Sequence, residues 1–221
     1  MTWYKEFDFE DNPLSIKPGQ GYELFFDDKN LVTDVLEKIK DSENLVLKGP
    51  LGTGKTSILK KIIEHFGGSR KLYYYNAYSA SSPLDYERIL KRAGNFFSRI
   101  FNLKSKGVIL FIDEAQHLPP RVLEELKEYI DYNFKSVVLS SSDTKFKVPK
   151  ELQKNFELEI NTGNFTQKDA FNIIKDRLGG DYEEIISDDE IKKCYKNVST
   201  QREFLLEVEK LCRVKHEQEN S

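Results

Sequence analysis

Long apolar runs are missing from this chain. No stretch approaches the roughly twenty residues that span a bilayer, and the opening Met-Thr-Trp-Tyr-Lys-Glu-Phe-Asp carries no signal-peptide pattern. A cytoplasmic protein with no membrane partner is expected. Cys194 and Cys212 are the only cysteines, too few for a disulfide framework, and no metal-ligand spacing surrounds them. They read as small core residues kept reduced. Excess charge of one sign is lacking too. The net charge is −3, so the chain as a whole has no electrostatic footprint for nucleic acid. Lys145, Lys147, Lys150 and Lys154 form a local exception, as does Lys60-Lys61, and both read first as solvated faces. Internal repeats and low-complexity tracts are absent as well.

What is present is a chain of 221 residues, 38% hydrophobic and 32% charged, which is enough for one α/β domain and a small appendage. Residues 49 to 56 read G-P-L-G-T-G-K-T. The apolar run Leu45-Val46-Leu47 precedes this octamer, and Ser57 to Ile63 follow it with helical spacing. Strand, glycine loop and helix together give the match a physical meaning. Gly49, Gly52 and Gly54 let successive N–H groups point at one phosphate chain, and the helix dipole adds positive potential. Lys55 would reach the β- and γ-phosphates, and the Thr56 hydroxyl would take a Mg²⁺ position.

A second run, Val108 to Ile112, ends in Asp113-Glu114. Unbroken apolar runs of this kind mark strands buried on both faces, and ligands of open α/β sheets gather at their C-terminal ends. There Asp113 can hold Mg²⁺ and Glu114 can polarise an attacking water. Coupled to the loop upstream, the acidic pair indicates a nucleoside triphosphatase site.

The rest of the chain reads as a βα succession. Residues 1–30 are irregular, and a helix is expected at 29–40, strand at 45–48, helix at 55–66 and a tyrosine-rich strand at 72–77. Helix at 84–103, strand at 108–112, helix at 120–131 opened by Pro119-Pro120, and strands at 136–139 and 156–160 complete it. The fold class is α/β, a three-layer arrangement with a mainly parallel five-stranded sheet over 1–163. From Thr166 only helices are expected, giving an all-helical lid over 164–221. Ser187-Asp-Asp-Glu190 and Thr200-Gln-Arg-Glu203 fit the capping box, and Thr166-Gln-Lys-Asp169 carries a weaker form of it.

In this order the motifs resemble the AAA+ ATPases. Within them the chain is most similar to the branch of origin-recognition initiator, ExeA-type and transposition-helper ATPases. Asn12-Pro13-Leu14, D-E-A-Q-H-L-P at 113 to 119 and V-S-T-Q-R-E-F-L-L at 198 to 206 carry that closer likeness. The resemblance implies a P-loop NTPase sheet domain, a helical lid, and ATP with Mg²⁺ bound between the two. Pro50, Gly52, Thr53, Gly54, Lys55, Thr56, Ser57 and Arg202 would contact the nucleotide, with Thr56 and Asp113 at the metal. Lys55, Glu114, Ser141 and Arg202 would form the catalytic set.

Two of these roles rest on the resemblance. V-V-L-S-S-S at 137 to 142 occupies the family's sensor 1 strand, where Ser141 is the chosen residue, with Ser140 and Ser142 one step either side. Arg202 matches the lid's sensor 2 arginine. As a cation in the first turn of a helix capped by Thr200, it opposes the dipole unless an anion is near. A surface ion pair to Glu203 or Glu207 is the plainer alternative. One departure concerns the arginine finger: its slot in L-Q-K-N-F holds Asn155, beside Lys154, and Arg121 is another cation that could reach a neighbour. His117 and Gln116 read as loop residues, although Gln116 could also sense the ligand state. Tyr73, Tyr74 and Tyr75 read as a strand with one exposed ring, and Tyr22 and Phe25 could lie near adenine.

The expected activity is ATP hydrolysis coupled to lid closure and to action on DNA or a protein partner, as in replication or transposition. The alternative is a slow-hydrolysing switch that recruits a protein partner without motor activity. A small-molecule kinase is disfavoured by the acidic pair and by the absence of an acceptor-site signature. In this sequence no winged-helix module follows the lid, so DNA would be met by the ATPase body, and a homo-oligomer remains open.

Overall fold

The apolar runs become the strands of a single sheet. In the computed structural model, which describes residues 2–16, 30–66, 71–94, 104–163 and 165–219, the strands are β1 (Leu45–Lys48), β2 (Leu72–Asn76), β3 (Val108–Asp113), β4 (Phe134–Ser141) and β5 (Leu158–Asn161). They lie in the order β2-β3-β4-β1-β5, and every neighbouring pair is parallel. Flanking the sheet are helices α1 (Leu31–Lys40), α2 (Lys55–His65), α3 (Tyr86–Arg92) and α4 (Pro120–Glu125). After β5 come α5 (Gln167–Leu178), α6 (Asp188–Lys196) and α7 (Gln201–Glu219).

Alternation along the strands divides their side chains between two faces. Val46, Val108, Leu110, Ile112, Val137 and Leu139 pack with Ile89, Leu90, Leu123 and Leu126 in one core. The intervening Leu45, Leu47, Ile109, Phe111 and Val138 are equally buried, so both faces are covered. This burial explains the continuous apolar runs.

Several elements depart from the expected bounds. The helix expected at 120–131 stops at Glu125, and Leu126–Glu128 tightens into a 3-10 turn. Tyr129 and Ile130 N–H both bond to the Leu126 carbonyl, which turns the chain toward Phe134 and sends both side chains into the core. Helix α3 ends at Arg92, and residues 95–103 of the expected helix lie outside the described residues, as do Tyr22, Phe25 and Gly67-Gly68. β4 is longer than expected at both ends, whereas β5 starts two residues later than its apolar run. The N-terminal region contains a 3-10 turn, Trp3–Phe7.

The chain divides into two compact units that are discontinuous in sequence. One holds the sheet (30–50 and 58–162), and the other gathers 1–29, 51–57 and 163–221. In the helical unit, Thr166 forms a complete capping box with Asp169, and Ser187 with Glu190. Thr200 and Glu203 exchange the same pair of bonds at 3.1 and 3.3 Å. Each cap is worth about 1 kcal/mol. Trp3 and Leu14 join Ile173, Ile174, Ile191, Phe204, Val208 and both cysteines in this unit's core. Arg177 fastens the N-terminal segment by donating to the Pro13 and Ser15 carbonyls at 2.9 and 3.0 Å. Asn12 does so by donating to Glu209 at 2.8 Å.

Trp3 is the only tryptophan, and burial pushes the Cys212 thiol up to about 12. Both thiols should therefore resist an aqueous thiol reagent until this core opens. In a denaturant titration, loss of Trp3 emission and gain of thiol labelling should share one midpoint. Labelling well before the emission change would show that the N-terminal segment and the helices do not share a core.

In the sheet unit, Gly49 leaves β1 where a Cβ would lie 2.1 Å from the Thr162 carbonyl oxygen. The Thr162 N–H and hydroxyl both bond to the Lys48 carbonyl, at 2.6 and 3.0 Å, so that strand cannot give way cheaply. Gly49→Ala should destabilise the protein by about 2 kcal/mol or more, the scale of an overpacked core, read as a lower midpoint in thermal unfolding.

Candidate active site

Several polar residues of the sheet unit collect at the C-terminal ends of its strands. Lys48 pairs with Ser141 on one side and Asn161 on the other, and Asn76 pairs with Asp113. The Gly49 N–H donates to the Ser141 carbonyl at 3.3 Å, which holds the exit of β1 against β4. From that exit the chain runs through the glycine loop into α2, whose first residue is Lys55.

Asp113 is completely buried, yet its carboxylate is surrounded by donors. Oδ2 accepts from the Tyr74 hydroxyl at 2.8 Å and from the Asn76 amide at 3.3 Å, while Oδ1 accepts from Ser140 Oγ. Burial first, and then the Asp113 charge, push the Tyr74 phenol far above its usual range, so it stays a neutral donor. Ser140 Oγ also accepts from the Glu114 N–H at 3.1 Å.

Glu114 follows in the left-handed region, at φ 56° and ψ 45°. For a residue with a Cβ this costs roughly 1–2 kcal/mol, and such strain persists where surrounding bonds over-determine it. Those bonds are present. The Glu114 carboxylate accepts from Ser142 Oγ at 2.6 Å and from Gln116 Nε2, which also donates to Ser142 Oγ at 2.7 Å. The bend turns the glutamate out of the strand and leaves it half-buried at the sheet edge.

In the helical unit, Gly52 of the glycine loop has φ +87°, and a Cβ there would come within 2.8 Å of Arg202 Cβ and 3.1 Å of Thr200 Oγ1. The Gly52 carbonyl accepts from the Arg202 N–H at 3.3 Å. The loop and the capped first turn of α7 are thus in backbone contact, which only glycine permits. Thr53 and Lys55 are buried, Gly54, Thr56 and Ser57 are half-buried, and Pro50 is exposed. Among the described residues, no ion pair to Arg202 is found, and Glu203 turns back to the Ser199 and Thr200 N–H groups.

The structure therefore brings Asp113 and Glu114 together with Ser140 and Ser142 of the β4 exit, but not with Ser141. Ser141 Oγ instead bonds to the Asp143 main chain at 3.1 Å. Ser140 shares the face of Asp113, and Ser142, beyond the strand end, reaches Glu114. Tyr74 and Asn76 were missed as site residues, because their convergence on Asp113 depends on the register of β2 against β3. Asn155 donates to Asp131 at 2.7 Å, and Arg121, exposed, pairs with Glu125 at 3.5 Å. His117 is exposed and packs against the Tyr78 ring.

Asp113 and Thr56 offer hard oxygens, the donor type that suits Mg²⁺. No group of three or more His, Cys, Asp or Glu side chains that could hold a metal was found among the described residues. Mg²⁺ takes most of its oxygens from phosphate and water and needs no such group, so a carboxylate such as Asp113 and a hydroxyl such as Thr56 each suit it by donor type.

A family model described as an AAA domain matches residues 41–158, more than half of the chain. Among curated relatives, the Holliday junction branch migration complex subunit RuvB of Chlorobium luteolum is 38% identical over 84 residues, 38% of this chain and 21% of that protein. RuvB of Mycoplasma genitalium is 28% identical over 174 residues, 75% of this chain and 51% of that protein. The chain thus spans about a fifth to a half of the length of these relatives. Among solved structures, Aeropyrum pernix Orc1 in complex with DNA aligns with a TM-score of 0.65 at 16% identity, covering 92% of this chain and 64% of that one. Cdc6p of Pyrobaculum aerophilum aligns at 0.60 and 17% identity, covering 96% and 67%. The sheet order, the loop and the matched family model agree: the chain belongs to the AAA domain family of AAA+ P-loop ATPases.

Proposed function

We propose that this protein binds ATP with Mg²⁺ at the glycine loop and hydrolyses it, using its helical part as a nucleotide-sensing lid. The observation that carries this reading is the pair of anchored carboxylates at the end of β3, on the sheet edge from which β1 runs into the loop. Pro50, Gly52, Thr53, Gly54, Lys55, Thr56 and Ser57 would cradle the phosphates, Thr56 and Asp113 would hold the metal, and Arg202 would meet the terminal phosphate. Bound there, Mg²⁺ would neutralise charge on the phosphate oxygens.

Glu114 orients the water and draws on its proton as the water oxygen bonds to the γ-phosphorus. The bond from that phosphorus to the bridging oxygen breaks, and ADP leaves with the electron pair. Ser142 and Gln116 set the direction of the Glu114 carboxylate, so the polar role proposed for the β4 exit passes from Ser141 to Ser142. Lys55 and Arg202 stabilise the charge that develops. The sheet-bearing part and the helical part after Thr162 serve as ATPase domain and lid.

Action on DNA is supported by the relatives, since RuvB is a branch migration subunit and Orc1 is seen with DNA. The exposed Lys145, Lys147, Lys150 and Lys154 offer phosphate contacts. A protein partner or a second copy of the chain would act on the same nucleotide-sensing element. The second reading, a slow switch, is favoured by Asn155 in the finger slot, tied to Asp131. No described helix is long and apolar enough to cross a membrane.

Lys55→Ala should abolish tight ATP binding, whereas Glu114→Gln should keep binding and stop turnover, because only the first removes ground-state phosphate contacts. Equal loss of binding in both variants would overturn the role assignment. Arg202→Ala should leave ADP affinity near normal and weaken ATP by roughly ten- to a hundredfold, as expected for a charge-assisted bond to phosphate. A parallel fall in both affinities, measured by calorimetry, would make Arg202 an ordinary helix residue.

A further inference from the structure

The three consecutive tyrosines of β2 do not share one environment. Tyr73 and Tyr75 pack against the core that contains α3 and α4. Tyr74 and Asn76 project to the opposite face, as the two-residue period requires. In the β2–β3 register Asn76 stands opposite Asp113, and Tyr74 stands opposite Phe111, one same-face step away. That diagonal is within reach of a long aromatic side chain. Both donors meet at a single oxygen, Asp113 Oδ2, while β4 supplies Ser140 to Oδ1.

A carboxylate that accepts from two neighbouring strands is fixed in rotation as well as in place. Tyr74 suits this task better than a serine or threonine. Its ring spans the diagonal, its hydroxyl stays neutral, and its two side-chain torsions are restrained by the sheet. The Asn76 carbonyl oxygen is meanwhile committed to the Tyr78 and Ser79 N–H groups, at 3.1 and 2.9 Å. Its amide is therefore oriented toward Asp113, and the loop after β2 is linked to the same carboxylate.

We propose that Tyr74 is a positioning residue for the metal site: its hydroxyl, with Asn76 beside it, aims the Asp113 carboxylate so that Mg²⁺ is held with the nucleotide. The proposal rests on the ATP–Mg²⁺ reading above. It assigns Tyr74 no contact with the nucleotide and no part in proton transfer. Removing the hydroxyl should weaken the metal-dependent part of binding and spare the rest.

The test is equilibrium binding of a fluorescent ATP analogue to the full chain across a MgCl₂ titration, with an EDTA arm, for wild type, Tyr74→Phe and Tyr75→Phe. Tyr75 donates its hydroxyl to the Ser82 carbonyl and not to Asp113, so its variant reports the loss of a hydroxyl elsewhere on the strand. Tyr74→Phe should raise the Mg²⁺ midpoint by about tenfold, the usual scale for a residue that orients a metal ligand. Affinity in EDTA and the Tyr75→Phe midpoint should stay within about twofold of wild type, the ordinary size of a neutral change. In an Asp113→Asn background, Tyr74→Phe should add nothing further, because the two act as one unit.

An unchanged midpoint in Tyr74→Phe, with or without a lower melting temperature, would overturn the proposal and leave Tyr74 a structural residue. Additive effects in the Asp113→Asn background would overturn it as well. If wild type itself shows no Mg²⁺-dependent nucleotide binding, the ATP reading falls and the proposal falls with it. That outcome is distinct from the others because it appears before any variant is compared.

Discussion

A carboxylate with no solvent exposure, at the end of a strand covered on both faces, has to be met by donors from the sheet itself. Asp113 is that group, and Tyr74, Asn76 and Ser140 are its donors. Left alone, such a charge would cost several kcal/mol, even after relaxation. Bonds to a charged group return roughly 1.5–3 kcal/mol each, so two or more are needed to balance it. The donors lie on strands either side of β3, and the two bonds to Oδ2 depend on the observed register of β2. Sliding β2 by one residue would bring Tyr73 and Tyr75 to that face and remove both of its donors at once. Strand order, register and site geometry are thus one constraint.

The sequence made much of this legible. The glycine loop, the acidic pair and the apolar runs are local patterns whose physics is nearly independent of the rest of the chain, and they led directly to the parallel sheet and its polar edge. Residues whose role depends on pairing were harder to find. Ser140, Ser141 and Ser142 are chemically the same, and only the phase of β4 against β3 tells them apart. Val137 and Leu139 take one face with Ile112, which leaves Ser140 on the face of Asp113. No periodicity within β4 contains that information. Tyr74 was obscured in the same way, as one of three adjacent tyrosines. Helix ends were lost for a different reason, since the 3-10 turn after Glu125 is imposed by the need to re-enter the sheet at Phe134.

The helical unit shows how a small core is assembled from distant parts of the chain. Three capping boxes define where its helices begin, but α5, α6 and α7 do not close their core alone. Trp3 and Leu14 complete it, and the Arg177 and Asn12 bonds hold that segment in place. The glycine-loop residues 51–57 group with these helices and not with the strand that leads into them. Gly52 provides a reason, because its missing side chain lets the loop backbone meet the backbone of α7 directly. A division of the chain by sequence position alone hides this partnership.

The near-terminal segments of the helical unit also meet. Glu6 and His216 are 2.9 Å apart, the first in the opening 3-10 turn and the second close to the end of α7. Segments fused to either end would therefore emerge side by side from one patch of the helical unit. Two attached modules would be held at high effective concentration by the fold itself, without any contact of their own.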